Sequence, residues 1–161
     1  MTVFEDFSQA PQTRWDYVAD GVMGGVSQGE ADFVQTEGGP AVRLTGQVSI
    51  ENNGGFIQVR RRFEGGFPQD GKGLRLSVRG NVETYYVFLR SRGLARAWHS
   101  HRHSFETAAD WCEVEMAFAD FYPSHEGVPE SFAPDEVHSI GIVAYGRAFE
   151  ADVSVRRVEV Y

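Results

Sequence analysis

Hydrophobic and polar residues alternate along most of this chain, which is the pattern of β-strands with one buried face. In residues 74–79 the apolar side chains are those of Leu74, Leu76 and Val78, and polar residues occupy the positions between them. Residues 85–90 and 137–144 are more uniformly apolar, as expected of central strands. The pattern therefore predicts a protein built from strands.

In the last predicted strand the alternation of valines shifts by one position. Val153 and Val155 are at odd-numbered positions, whereas Val158 and Val160 are at even-numbered positions. A β-bulge near Arg156 and Arg157 would return all four valines to one face, and we therefore expect a bulge there. The same alternation predicts five further strands, near residues 29–35, 41–50, 56–63, 101–106 and 111–118.

Turn-forming residues separate these predicted strands, and no segment keeps a helical period over three turns. Turns are expected at 38–40, 53–54, 65–68, 70–73 and 79–81, which are rich in glycine, proline and asparagine. Many short strands at regular intervals are typical of an all-β antiparallel β-sandwich or jelly roll. At 161 residues the chain is expected to form a single domain over positions 1–161.

Composition and charge restrict the classes of partner. Aromatic residues make up 13% of the chain, with 12 phenylalanines, which suits the core between two sheets. The net charge of −8 disfavours general binding to nucleic acid or to an anionic membrane. No apolar run approaches the roughly 18 residues of a membrane span, and the N-terminus has neither a secretory nor a transit signal. A cytoplasmic location is the expectation, and Cys112, the single cysteine, is expected to be buried and inert.

Two glycine-rich segments lie between predicted strands. The first runs from Asp20 to Ser27 and the second from Glu51 to Phe56. Neither has the spacing of a phosphate-binding loop. Both are expected to be shaped turns, with positive φ at Gly24 or Gly25. The alternative is a loop that presents Asp20, Asn52 and Asn53 to a ligand or partner; the Asn-Gly pair also fits a hairpin turn.

Three histidines occur at alternate positions and form the strongest candidate for a metal site. On a strand, His99, His101 and His103 would share one face, and neighbouring histidines can ligate zinc. A complete site needs a further ligand that the sequence does not place nearby, so a polar or ligand-contacting strand is favoured. No Gly-x-Ser-x-Gly motif marks a nucleophile, and no acid–base pair can be assigned. We expect no resident cofactor or metal.

Basic and aromatic residues cluster near several predicted strand ends. Arg60 and Arg90 could form a binding face together with His101 and His103, beside the Asp20 and Asn52–Asn53 loops. Trp98 is the candidate aromatic platform for a sugar ring. Solvated strand ends are the simpler interpretation of the same residues.

The chain resembles the complex I intermediate-associated protein 30 family. The resemblance rests mainly on Asp20-Gly21-Val22-Met23-Gly24-Gly25-Val26-Ser27 and on Glu51-Asn52-Asn53-Gly54-Gly55-Phe56. Weaker matches follow in the same order across nearly the whole chain; they include Trp15, the segment 73–80, Trp111, Phe118 and residues 140–142. The resemblance implies a galactose-binding-like β-sandwich.

The resemblance also implies a role. Eukaryotic members of the family help to assemble respiratory complex I, so it implies a non-catalytic assembly-factor domain that acts through a protein partner, such as a respiratory-complex subunit. The fold is also similar to that of carbohydrate-binding modules, which makes a sugar or small ligand the alternative. A metal-dependent enzyme using His99, His101 and His103 is the third hypothesis.

Overall fold

A computed structural model describes the backbone of residues 1–161 and every side chain except those of Val22, Met23 and Asn53. Its described residues form twelve strands joined by loops and short 3-10 turns. The strands are β1 (Thr2–Glu5), β2 (Trp15–Ala19), β3 (Gln28–Thr36), β4 (Gly39–Val48), β5 (Phe56–Arg62), β6 (Gly73–Gly80), β7 (Thr84–Ser91), β8 (His101–Glu106), β9 (Cys112–Ala117), β10 (Tyr122–Pro123), β11 (Val137–Tyr145) and β12 (Phe149–Val160). The 3-10 turns are Pro11–Thr13, Asp20–Met23, Glu51–Asn53, Phe118–Asp120 and Pro134–Glu136.

The strands form two antiparallel sheets. Sheet I has the order β3-β4-β12-β6-β9, and β1 also pairs with β12. Sheet II has the order β10-β8-β7-β11-β5-β2. The prediction of an all-β antiparallel sandwich, with a galactose-binding-like jelly-roll fold, is confirmed. Every predicted strand is present with its bounds shifted by a few residues at most, apart from β12, which begins earlier than expected.

The core lies between the two sheets and is built from the alternating apolar positions. Val153, Val155, Val158 and Val160 of β12 are between 0% and 2% exposed. The pairing of β12 with β6 shifts register between Val155 and Arg157, so the predicted bulge is confirmed. The bulge keeps all four valines on the core face although their parity changes.

A buried carboxylate fastens the N-terminal strand to sheet II. Glu5 is 3% exposed and accepts hydrogen bonds from Arg14 Nη2 at 2.7 Å and Trp15 Nε1 at 2.8 Å. Arg61 Nη1 lies 3.2 Å from Glu5 Oε1. Burial alone would raise the pKa of Glu5, but hydrogen bonds from Arg14, Trp15 and the Phe7 amide outweigh it and hold that pKa below its ordinary value.

Two predictions about local structure are wrong. Cys112 is exposed, because it opens the edge strand β9, which has a neighbour on one side only. The segment from Glu51 to Gly55 is not a hairpin turn, because it connects β4 of sheet I to β5 of sheet II. Among the described residues, no helix has the length and apolar character needed to span a bilayer.

Candidate binding face

Asp20 is the centre of the first glycine-rich segment, and it is completely buried. Its Oδ1 accepts a hydrogen bond from the Ser27 amide at 3.0 Å, and its Oδ2 accepts bonds from Ser27 Oγ at 2.5 Å and the Gly55 amide at 2.6 Å. Burial would raise the pKa of Asp20, but these bonds outweigh burial and hold that pKa low. Asp20 therefore organises the two glycine-rich segments, and the expectation that it presents a carboxylate to a ligand disagrees with its burial.

The glycines around Asp20 are required by close packing. A Cβ at Gly54 would lie 2.5 Å from Asp20 Oδ2, and a Cβ at Gly25 would overlap the Asp20 carboxyl group. Gly24 has a φ of +85°, as predicted for one glycine of this pair. The unusual glycine-rich sequence of both segments therefore has a structural cause, which is close packing around Asp20.

The two asparagines of the second segment are less informative about binding. Asn52 is exposed and has a φ of +55°, a left-handed conformation that asparagine adopts more readily than most residues. The side chain of Asn53 lies outside the described residues.

The outer face of sheet II, the side facing away from the core, carries most of the remaining candidates. One row of paired positions crosses the whole sheet in register: Tyr122, Arg102, Phe88, Gly141, Arg60 and Asp16. Along β7 this face shows Tyr86, Phe88 and Arg90, which alternate with buried core residues. Arg60 and Arg90 therefore share a face, as the sequence predicted.

Half of this face is aromatic. Tyr145 packs edge-to-face against Tyr86, with ring centroids 4.5 Å apart, and against Phe88 at 5.1 Å. The Arg102 guanidinium lies over the Phe88 ring, 4.0 Å from its centroid. Burial, followed by the hydrogen bond with Tyr145, raises the pKa of the neighbouring Tyr122, so the Tyr122 phenol is neutral at pH 7. Tyr86, Phe88, Tyr122 and Tyr145 form an aromatic patch, with the Arg102 guanidinium at its centre.

The other half of this face is cationic. Arg62 and Arg90 flank Ser139, and Arg60 and Phe88 flank Gly141, on either side of the central strand β11. Ser139 is only 6% exposed and Gly141 is buried, because the Gln58 side chain lies over Gly141 and the arginine side chains flank Ser139. Burial, then repulsion from Arg62, lowers the pKa of Arg60, and the same two causes lower that of Arg90. We call Arg60, Arg62 and Arg90 the arginine cluster.

Sheet I presents a different outer surface. Two of its arginines pair with carboxylates, Arg43 with Asp152 at 2.8 Å and Arg75 with Glu115 at 2.7 Å. Two others, Arg79 and Arg156, hold the Trp111 ring between their guanidinium groups. The positive charge of sheet I is therefore partly balanced by its own carboxylates, in contrast to the arginine cluster of sheet II.

Trp98 lies at the end of sheet II that is nearer the arginine cluster. It is 59% exposed, on the loop between β7 and β8. Arg90 fixes this loop by donating to the carbonyl oxygens of His99 and Arg96, both at 3.0 Å. Asp20 and Asn52 follow β2 and precede β5 at the opposite end of the sheet, about 20 Å away for a strand of seven residues. The loops of Asp20 and Asn52 therefore border one end of sheet II, and the loop of Trp98 borders the other.

The three histidines do not form one array on this face. His101 is 1% exposed, faces the core, packs against Phe132 and has its Nε2 2.6 Å from the Pro129 carbonyl oxygen. His103 also points to the core side of β8, against Phe121. The expectation that both share a face with Arg90 is wrong, because β8 pairs each of them with an inward residue of β7.

His99 precedes β8 and belongs to a separate contact. Its ring stacks on that of His125 with centroids 5.4 Å apart. Burial, followed by the charge of Arg102, lowers the pKa of His125. Among the described side chains, no group of three histidine, cysteine or acidic residues is close enough together to hold a metal ion.

Comparison with known proteins identifies the family of the chain, and it finds solved structures with the same fold. The model of the complex I intermediate-associated protein 30 family matches residues 5–154. The chain belongs to this family. No curated protein sequence matches the chain significantly.

Solved structures similar to this family member include carbohydrate-binding modules and agarases. A family 11 carbohydrate-binding module from Clostridium thermocellum, in complex with a β-1,3-1,4-mixed-linked tetrasaccharide, has a TM-score of 0.80 at 11% identity over 99% of this chain and 94% of that one. A family 30 carbohydrate-binding module has a TM-score of 0.58 at 16% identity, over 83% and 84% of the two chains. An exo-β-agarase contains the same fold in 25% of its length, with a TM-score of 0.66 and 7% identity over 100% of this chain. At these identities the likeness shows the fold alone.

Sequence reasoning missed part of the face that the structure assembles. Phe88, Arg102 and Tyr145 lie on three neighbouring strands and meet only through the order of strands in sheet II. The alternation along β7 was a usable signal, because Tyr86 and Phe88 share the parity of Arg90. The partners on β8 and β11 could not be assigned without the strand pairing.

Proposed function

We propose that the chain acts as a single non-catalytic binding domain that engages a protein partner through the outer face of sheet II. The observation that carries the proposal is the pairing of an aromatic patch with the arginine cluster on one face. Tyrosine and arginine dominate the energetics of protein interfaces, where they act from partly buried, desolvated positions. Membership of an assembly-associated family supports the same role.

A subunit of a respiratory complex is the partner that we propose to test first. The reason is that the family is described by its association with an intermediate of complex I. We place the protein in the cytoplasm, following the sequence expectation. No resident cofactor enters the proposed role.

The experiment is an affinity capture from the native host with three immobilised baits. The wild-type chain is compared with Phe88→Ala, which removes the centre of the aromatic patch. Trp111→Ala is the matched control, since Trp111 is an aromatic residue held between arginines on the outer face of sheet I. We expect the same specific protein with wild type and Trp111→Ala, and at least a tenfold loss with Phe88→Ala, as expected of a central anchor. Capture that is unaffected by Phe88→Ala would contradict the proposed face.

A carbohydrate ligand is the second candidate, favoured by the exposed Trp98 ring at the edge of this face and by the fold of the similar modules. It ranks second because Arg102 covers the Phe88 ring and the neighbouring tyrosines meet it edge-to-face, which leaves no flat platform among them. Glycan-array screening followed by calorimetry tests it. Specific micromolar binding that Trp98→Ala abolishes without loss of fold would reverse the ranking.

A further inference from the structure

The arginine cluster has a regular geometry. Arg60 and Arg62 are two positions apart on β5 and point to the same side, so their Cα atoms are about 6.6 Å apart. Arg90 faces Arg62 across Ser139 on the central strand. Gln58 covers Gly141 and Ser139 is buried, so a partner segment would meet the arginine side chains and not the backbone of β11.

The charge of the cluster is not balanced within the molecule. Among the described residues, none of Arg60, Arg62 and Arg90 has a carboxylate oxygen within 4.0 Å, although six other arginines do. Asp16 is opposite Arg60 in the register of β2 and β5, and its charge acts to raise the pKa of Arg60, but it is exposed and its carboxylate oxygens lie more than 4.0 Å from the Arg60 guanidinium. A chain with a net charge of −8 thus keeps three neighbouring cations free of acidic partners on one face.

Arg60 also has an unsatisfied donor. Its Nε is buried and has no hydrogen-bond partner among the described atoms. A buried donor without an acceptor costs free energy, and most such groups in folded proteins are satisfied. An acceptor brought by a binding partner would remove this cost if the Arg60 side chain turned on binding so that its Nε became accessible.

We propose that the arginine cluster binds an extended acidic segment of the protein partner, with carboxylates at alternate positions that pair with Arg60 and Arg62. Alternate side chains of an extended strand lie on one side with the spacing of these two arginines. Arginine is suited to the task because its planar guanidinium can donate two parallel hydrogen bonds to one carboxylate. Arg90, whose Nε and Nη2 are used by the loop carbonyls, keeps donors free for a third carboxylate.

A short acidic segment fits better than a long polyanion. Nucleic acid or an acidic polysaccharide extends well beyond the arginine cluster and meets the negative charge of the rest of the molecule, which repels it. A segment of a few residues contacts the cluster alone. This inference rests on the proposed function, because it names the chemistry of the partner for the same face.

The test uses synthetic peptides and the intact chain. A fluorescent peptide with alternating Glu and Thr is titrated by anisotropy, beside a Gln–Thr peptide of equal length and polygalacturonate. The variant Arg60→Gln/Arg62→Gln removes two charges from the cluster, and Arg79→Gln/Arg157→Gln removes two from sheet I as the matched control. Each titration is repeated at about 50 mM and about 300 mM sodium chloride, because screening weakens exposed ion pairs.

The expected result is micromolar binding of the Glu–Thr peptide, at least tenfold weaker in Arg60→Gln/Arg62→Gln and within about twofold of wild type in the control. The Gln–Thr peptide should not bind. Binding of the acidic peptide that both double variants retain equally would overturn the inference as non-specific attraction. Absence of peptide binding, in a protein that still captures its partner through Phe88, would overturn the acidic segment and leave the proposed face intact. Binding of polygalacturonate without binding of the peptide would overturn both the acidic segment and the proposed face for a protein partner.

Discussion

The backbone amide of Gly55 donates a hydrogen bond to Asp20 Oδ2 over a distance of 2.6 Å, joining positions 35 residues apart in the sequence. The same oxygen accepts from Ser27 Oγ, so one carboxylate connects the end of β2, the start of β3 and the start of β5. Both glycine-rich segments therefore serve one buried ionic centre. The sequence motif that most strongly resembles the family therefore has a structural role, and the proposed binding face is formed by other residues.

Replacing Asp20 should have a large effect on stability. In Asp20→Asn an amide N–H would face the donors that now surround the carboxylate, and we expect the free energy of unfolding to fall by about 3 kcal/mol or more. Urea denaturation measures this. Asp16→Asn is the control, because Asp16 is exposed on sheet II, and it should change stability by less than about 0.5 kcal/mol. Equal effects of the two substitutions would show that Asp20 is not the organising centre.

The glycines of the first segment should differ in their tolerance of alanine. Gly25→Ala forces a Cβ into Asp20, and Gly24→Ala places a side chain at a φ of +85°, which costs about 1–2 kcal/mol. Gly21→Ala is the internal control, since nothing lies within 4 Å of its Cβ position. We expect thermal melts to rank the variants with Gly25→Ala least stable and Gly21→Ala close to wild type. A melting temperature for Gly25→Ala that equals that of Gly21→Ala would contradict the packing argument.

Two buried carboxylates should make the fold sensitive to acid. The pKa values of Glu5 and Asp20 are lower in the folded chain than their ordinary values of 4.5 and 3.8. Their contribution is therefore fully present above these ordinary values and is lost as the pH falls through the lower folded values. We expect the free energy of unfolding to fall between about pH 5 and pH 2. Glu5→Gln should flatten this dependence, and an unchanged slope would assign the acid sensitivity to other groups.

Much of the fold follows from local patterns in the sequence. Leu74, Leu76 and Val78 are buried as their alternation predicted, and the change of parity after Val155 located a real bulge. These features depend only on residues that are close together in one strand, so they can be predicted from the sequence alone. The exposure of Cys112 depends on β9 being an edge strand, and alternation alone does not determine the order of strands.

The candidate site was predicted only in part for the same reason. Arg60 and Arg90 were chosen from local charge, and they do share a face, because they pair with Gly141 and Ser139, which lie two positions apart on β11. His101 was grouped with them, but strand pairing places it opposite Leu89 on the core side. Which of two faces a polar residue occupies is fixed by register, and register depends on contacts between distant parts of the chain.

The adjacent residues Arg60 and Arg61 offer a test of whether the binding face costs stability. Arg61 points to the other side of β5, where it pairs with Glu5 and lies over the Phe4 ring at 4.2 Å. Arg61→Met removes one cation from a buried carboxylate, and we expect it to lower the free energy of unfolding by about 2 kcal/mol. Arg60→Met removes a desolvated cation that has no acidic partner, so stability should be unchanged or higher by up to about 1 kcal/mol.

Binding should show the opposite ranking. Arg60→Met should weaken the Glu–Thr peptide at least as strongly as any other single substitution in the arginine cluster, whereas Arg61→Met should leave the affinity of the folded fraction unchanged, because Arg61 does not reach the outer face. Urea denaturation and anisotropy on the same two preparations make the comparison. If Arg60→Met destabilises the chain as much as Arg61→Met does, the Arg60 side chain is a structural element of sheet II, and its unsatisfied donor no longer argues for a ligand.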